Sequence, residues 1–346
     1  MELPNNKTDI KKIRELIKIK EYNIASAEAL FSFTFTDEPF DKLFDYLDLD
    51  LENEDELFFF EKYFQDLIVN LNPNDYINNP YAKRIKGLAF KEGKYELKEL
   101  ILKPKRLIPY DDIVIDSSNY LERSSVGYFN EEYHYPALME KDVVWMSLNP
   151  DEINTMHPYI NKMHGDILVF GLGMGYFPYM ASLKEEVKSI TIIEKDINTI
   201  NIFKKYIQPK LDNKIKFNII NEDAFKYIQK NNMSRFDCMF MDIWHNAEDG
   251  FPLFLQFKKL LKNYQGETYY WLNASLLAMF RRCLLTLIEE KLMGYGEKEY
   301  QKAKNEYDQI INDLYRKTKD IKLDSYDSII AFLSDDNLEK LLSSCI

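Results

Sequence analysis

The stretch Asp166-Ile-Leu-Val-Phe-Gly-Leu-Gly-Met-Gly-Tyr176 constrains this chain more than any other. A short apolar run ends in glycines at alternating positions, Gly171, Gly173 and Gly175, and a helical pattern begins at once. The pattern predicts a strand, a tight turn and a helix N-terminus. Glycines in such a turn let the backbone approach a ligand closely, and a helix N-terminus favours polar or anionic groups. The dinucleotide fingerprint G-x-G-x-x-G wants its third glycine where this chain has Tyr176, so the run here is G-x-G-x-G.

The residues that follow read as alternating strands and helices. Ser189-Ile-Thr-Ile-Ile-Glu194 predicts a buried parallel strand with an acid at its end. Glu194 is placed to accept hydrogen bonds from a ribose diol. A helix is expected over 196–207, a third strand over 215–220 leading to Asp223-Ala224, and a fourth over Phe236–Asp242. An acid beyond the third strand suits an adenine amino group. A helix over 251–261 and a fifth strand over 267–272 complete the run. This is the pattern of a doubly wound, mostly parallel α/β sheet, in which ligands bind at the carboxyl ends of the strands where the strand order reverses. The glycines, Glu194, Asp223 and Asp242 all fall at those ends.

On these residues, positions 165 to about 275 resemble the core of class I S-adenosylmethionine-dependent methyltransferases, most closely the spermidine synthase-like branch. The resemblance implies that Gly171, Leu172, Gly173 and Gly175 hold the methionine part of S-adenosylmethionine. It implies ribose binding by Glu194, adenine contacts at Asp223 and Ala224, and Asp242 near the transferred group. In polyamine synthases the last motif continues with serines, a further aspartate and proline. Here it continues Ile-Trp-His-Asn-Ala-Glu-Asp249, which favours methyl over aminopropyl transfer.

A sulfonium cofactor is already activated, so the protein mainly has to align acceptor and methyl. Asp242 is the candidate for orienting the acceptor, and His245 the candidate base. The competing reading of His245 is an exposed loop histidine. Trp244 either walls the pocket or plugs the core beneath the loop. Glu248 and Asp249 suit a helix start. Tyr133, His134 and Tyr135 lie upstream, within reach of the acceptor pocket or as structural residues. Three functions follow: methyl transfer to a small or medium, neutral or cationic acceptor; aminopropyl transfer to a polyamine; or cofactor binding without catalysis.

The net charge of −12 argues against general nucleic-acid binding and for neutral or cationic small molecules. Cys238, Cys283 and Cys345 have no disulfide or zinc spacing, and the histidines are not spaced as metal ligands, so a cytoplasmic protein without a metal is expected. No signal peptide is evident, and the apolar helix near 276–288 carries Arg281 and Arg282, which disqualify it as a membrane span.

The flanks divide at composition changes. Residues 1–80 read as helical, with three or four helices over 8–72, including one over 58–71. Their aromatics leave self-association open. Residues 81–148 read as a small β-rich region, with a hairpin turning at Gly93. The core spans 149–295, opening with a helix capped by Asn149 and stopped by Gly165. Residues 296–346 read as a helical tail, with a charged helix over 297–317 striped by Tyr300, Tyr307, Ile311 and Leu314, and two short helices capped by Ser325 and Ser334.

Overall fold

The structure, a computed structural model, describes residues 1–212, 214–295 and 306–345. Seven strands precede the glycine turn: β1 (Ile68–Asn70), β2 (Phe90–Glu92), β3 (Tyr95–Leu102), β4 (Ile108–Ile115), β5 (Glu122–Tyr128), β6 (Tyr133–Glu140) and β7 (Val143–Ser147). They form two small sheets, ordered β1-β5-β4 and β2-β3-β6-β7. The expected hairpin is β2–β3, with Gly93 at φ 59° in its turn.

Five more strands make the main sheet: β8 (Gly165–Phe170), β9 (Val187–Glu194), β10 (Phe217–Asn221), β11 (Cys238–Met241) and β12 (Glu267–Tyr270). Their order is β10-β9-β8-β11-β12, and every pairing is parallel. The chain therefore winds outward from β8 to β10, returns to the other side of β8, and winds outward again. The strand order reverses between β8 and β11, and in open parallel sheets the carboxyl ends at such a reversal are where ligands bind. β8 and β11 are buried on both faces, as near-continuous apolar runs in parallel sheets should be. Beyond the strands, Gly171 N–H donates to Ile193 O (2.9 Å) and Asp242 N–H to Phe170 O (2.9 Å), so the turns stay tied together past the sheet edge.

One continuous apolar core runs from Ile13 and Leu16 in the first helix through the sheet to Leu338 and Leu342. The first helix, Lys7–Thr34, is a single long element capped by Asn6. Its buried polar groups are matched: Lys20 pairs with Glu289 at 2.5 Å, and Asn23 donates to Tyr120 O (2.8 Å) while accepting from Glu122 N–H (2.9 Å). The arginines in helix Asn273–Leu292 are matched too. Arg281 donates to Leu333 O and Asp335, and Arg282 holds Glu122. No described helix is long and apolar enough to cross a membrane.

Some expectations need correction. The helix read over 58–71 ends at Tyr63; Asp66 takes a left-handed φ of 57°, and Ile68–Asn70 pairs with Val126–Tyr128 as a strand. The helix over 149–163 ends at Lys162, and Gly165 starts β8 instead of stopping the helix. The fourth-strand helix begins earlier than expected, at Ala247, through a capping box of Asn246 and Asp249. Helices Tyr326–Phe332 and Asp335–Cys345 form the tail, and Ser325 caps the first. Ser334 instead donates back to Ala331 O. Ile311 and Leu314 are buried as expected in helix Glu306–Thr318; Tyr300, the start of the helix read over 297–317 and the side chain of Tyr307 lie outside the described residues.

Candidate functional site

The glycine turn is shaped by what each missing side chain permits. A Cβ on Gly171, at φ 96°, would sit 1.8 Å from the carbonyl oxygen of Asp242. Glycine is therefore what lets the turns after β8 and β11 touch. A Cβ on Gly175 would strike the Phe203 ring at 2.2 Å, so that glycine serves packing. Gly173 differs. Its Cβ would meet only Met146 Sδ at 3.8 Å, which leaves space above the turn. The N–H groups of Gly173 and Met174 meet no acceptor among the described residues. Tyr176, at the position of the missing third glycine, is buried and its hydroxyl accepts from Asn79 Nδ2 at 3.1 Å.

Glu194 closes β9 and braces this turn. One carboxylate oxygen accepts from Leu172 N–H (3.0 Å) and the other from Asp196 N–H (2.8 Å). Each oxygen keeps a second acceptor direction. Glu222 N–H donates to Glu194 O at 3.1 Å, which sets the loop after β10 beside it. There Asp223 caps helix Ala224–Lys230, accepting from Lys226 N–H at 3.0 Å, and Ala224 is buried. Asp242, half-buried beyond β11, completes the set. Desolvation, and after it the negative charge of Glu194, push its carboxyl up to about 7.

One acid near Asp242, Glu152, was missed in the sequence, and a second buried acid, Asp151, precedes it. Helix Pro150–Lys162 starts as expected, with Asn149 accepting from Glu152 N–H at 2.9 Å, but its first turn points chemistry at the site. Burial, then the charges of Asp242 and Asp151, hold the Glu152 carboxyl well above the usual range. Burial, then Asp112 and Asp111, push Asp151 up to about 7. Asp112 is engaged elsewhere, accepting from Ala274 N–H and Ser275 Oγ at the start of a helix. No Lys or Arg among the described residues offsets Asp151, Glu152 or Asp242. The only signal in the sequence was the acidic first turn, which every helix start favours.

The remaining candidates settle as follows. His245 is exposed, with Nδ1 3.1 Å from Asp249 and its ring 5.8 Å from the ring of Trp145. Asp249 also accepts from the backbone N–H groups of His245 and Asn246, so it is a helix cap. Trp244 is 5% exposed, against Gly250 and Phe257. Tyr133 is buried and stacked on Phe129 at 4.3 Å, and His134 pairs with Glu99 on the exposed side. What the small β-region brings to the site is Trp145 and Met146 of β7, a contribution no spacing rule predicts.

These raised carboxyls make a prediction for stability. An acid whose folded-state pKa lies above its unfolded value, about 3.9 for Asp, binds more protons when folded. Its contribution is fully present below pH about 4 and is lost as pH rises through about 7. The melting temperature of the ligand-free protein should therefore fall between these limits, and Asp242→Asn should flatten part of that fall. Calorimetric scans across the range test it; a melting temperature that climbs to pH 7 in the wild type and is unaltered in slope by the variant contradicts it.

No family model matches the chain, and no curated protein matches it. Among solved structures it is similar to spermidine synthase from Thermotoga maritima, with 16% identity over 43% of this chain and 54% of that one, at a TM-score of 0.28. It is also similar to MnmC2 from Aquifex aeolicus, with 12% identity over 82% of this chain and 98% of that one, at a TM-score of 0.29. The chain thus spans about half the length of the synthase. Overlaps this loose carry no weight beside the strand order. That order, with carboxylates and an open glycine turn at the reversal, defines a Rossmann-like α/β protein.

Proposed function

We propose that the chain is an S-adenosylmethionine-dependent transferase that moves the methyl group to a small or medium amine acceptor. The observation that carries this reading is the convergence of Glu194, Asp242 and Glu152 beside the glycine turn, with no Lys or Arg among the described residues offsetting Glu152 or Asp242. The residues fit the cofactor: no atom but Met146 Sδ, at 3.8 Å, would meet a Cβ at Gly173, and the N–H groups of Gly173 and Met174, without a partner among the described residues, suit a carboxylate.

When bound, this cofactor supplies an electrophilic carbon beside a positively charged sulfur. The chain's own residues supply placement and a proton acceptor. Glu194, fixed by Leu172 and Asp196, offers its remaining acceptor directions to ribose hydroxyls. Asp223 and Ala224 border the base. Asp242 and Glu152 draw in an ammonium group. Asp242, with a carboxyl near neutrality, takes the proton that must leave the nitrogen before its lone pair can attack. Holding the partners in line is worth roughly 7–11 kcal/mol in well-oriented reactions.

Calorimetry with S-adenosylmethionine or S-adenosylhomocysteine tests the core of the proposal. Glu194→Ala should weaken binding by about 1.5–3 kcal/mol, the usual loss for charge-assisted hydrogen bonds. Unchanged affinity rejects the ribose assignment. The acidic mouth also favours one second reading, aminopropyl transfer to a diamine. Incubation with decarboxylated cofactor and putrescine or spermidine separates the two, since only that reaction releases methylthioadenosine.

A further inference from the structure

Residues 44–61 hold eight acids and neither lysine nor arginine, so this stretch alone carries −8 of the chain's net −12. It also holds four phenylalanines, a tyrosine and four leucines. So acidic a stretch stays in water unless apolar contacts anchor it. The anchor is small. Leu43 and Tyr63 are the buried residues of helices Leu43–Leu47 and Glu54–Tyr63, and they join Phe64 in a cluster with Leu30 and Phe33 of the first helix. Most of the other apolar side chains in the two helices stay partly or largely exposed.

Those side chains make one face. Phe44 is 43% exposed, and its ring meets Phe60 of the second helix edge-on at 5.1 Å. Leu57, 36% exposed, precedes Phe60 by three residues and so shares its side of the helix. Glu56 and Glu61 occupy the helical positions that border this strip on either side. Asp48 follows Phe44 by one turn, its N–H donating to Phe44 O at 3.3 Å. Asp50 N–H donates to Glu56 Oε2 at 2.7 Å, which brings the loop's own acid toward the strip. Asp45 pairs with Lys42 and Asp55 with Lys18; the other six acids have no ion pair among the described residues. The face is therefore apolar at its centre and uniformly negative at its rim. A second copy of the chain fits it badly, because a twofold contact sets a patch against itself, acid facing acid. Nucleic acid and anionic membrane meet the same repulsion. We infer that this face docks a protein partner whose lysines or arginines surround an apolar anchor, the anchor seated between Phe44 and Leu57. Apolar contact at the centre supplies affinity, and the charged rim selects the partner. This docking role is independent of the cofactor site.

The test is fluorescence anisotropy of the full chain with a labelled amphipathic helical peptide of leucine and lysine. A leucine–glutamate peptide and a lysine–serine peptide are the matched probes that lack the charge or the apolar side. The leucine–lysine peptide should bind, and each of the others should bind at least about tenfold more weakly. Phe44→Ser and Leu57→Ser should each weaken the first peptide about tenfold, the loss of one apolar anchor. The combined change Asp48→Asn, Glu56→Gln and Glu61→Gln should also weaken it about tenfold, and added salt should reproduce that loss in wild type. Its residues are surface acids with isosteric replacements, so it decides the matter even if Phe44→Ser does not fold. Neutralising three exposed acids of the tail, Asp320, Asp324 and Asp327, removes the same charge elsewhere and should change binding less than about twofold. No binding of the leucine–lysine peptide overturns the inference. So does equal binding by wild type and the combined variant, or an equal loss in the tail variant. A dimer in sedimentation that Phe44→Ser disperses assigns the face to a second copy and overturns it as well.

Discussion

Asp242→Asn should leave cofactor affinity within a few-fold of wild type and lower turnover by about 10²–10⁴-fold, the usual range for losing a general base. The amide matches the carboxyl in shape, so the contacts of the turn survive. What it loses is the ability to take a proton and to neutralise an ammonium. Wild-type kcat/KM should rise with pH through about 7, as the carboxyl ionises and becomes a base, and the variant should lack that limb. Release of S-adenosylhomocysteine with a panel of amines, followed across pH, reads both effects. Turnover by the variant at the wild-type rate would remove Asp242 from the chemistry. It would leave it a role only in attracting the acceptor.

Gly171→Ala and Gly173→Ala should separate architecture from binding. At Gly171 the added methyl meets a backbone carbonyl at 1.8 Å, which has no rotamer to escape into. Strain from the positive φ and overpacking together should cost about 2–5 kcal/mol. The melting temperature should drop, and the turns after β8 and β11 should part. At Gly173 the methyl meets almost nothing, so only backbone strain, about 1–2 kcal/mol, opposes folding. If the proposed cofactor lies over this turn, its effect should fall on cofactor binding. Thermal scans and calorimetry on both variants give the comparison. A Gly173→Ala protein that binds S-adenosylhomocysteine as wild type does would show that the open space above the turn is not the cofactor's.

The central sheet was legible because its signals are local. Strands β8, β9 and β11 are short, largely apolar runs, and the acids Glu194, Asp223 and Asp242 sit at or just beyond strand ends. Caps such as Asn149 and Ser325 also speak for themselves, since a side chain satisfying its own helix needs no distant partner. Misreadings came where a distant strand decided the outcome. Ile68–Asn70 has helix-compatible residues, but pairing with Val126–Tyr128 makes it a strand. For Tyr133 and His134 the sequence left a structural role and a place at the acceptor pocket both open, because spacing is blind to the stack on Phe129 and the pair with Glu99.

By itself the sequence determined the sheet's strands, the glycine turn and the carboxylates at the strand ends, because apolar periodicity and turn chemistry act over a few residues. Only the tertiary structure decided which acids share one desolvated mouth. Glu152 reaches Asp242 through a helix packed before the first sheet strand, and Trp145 and Met146 arrive from a separate small sheet. The carboxyls of Asp151, Glu152 and Asp242 are raised first by burial away from water and then by the charges of other acids that the fold brings beside them, and that energy exists only once the fold has closed.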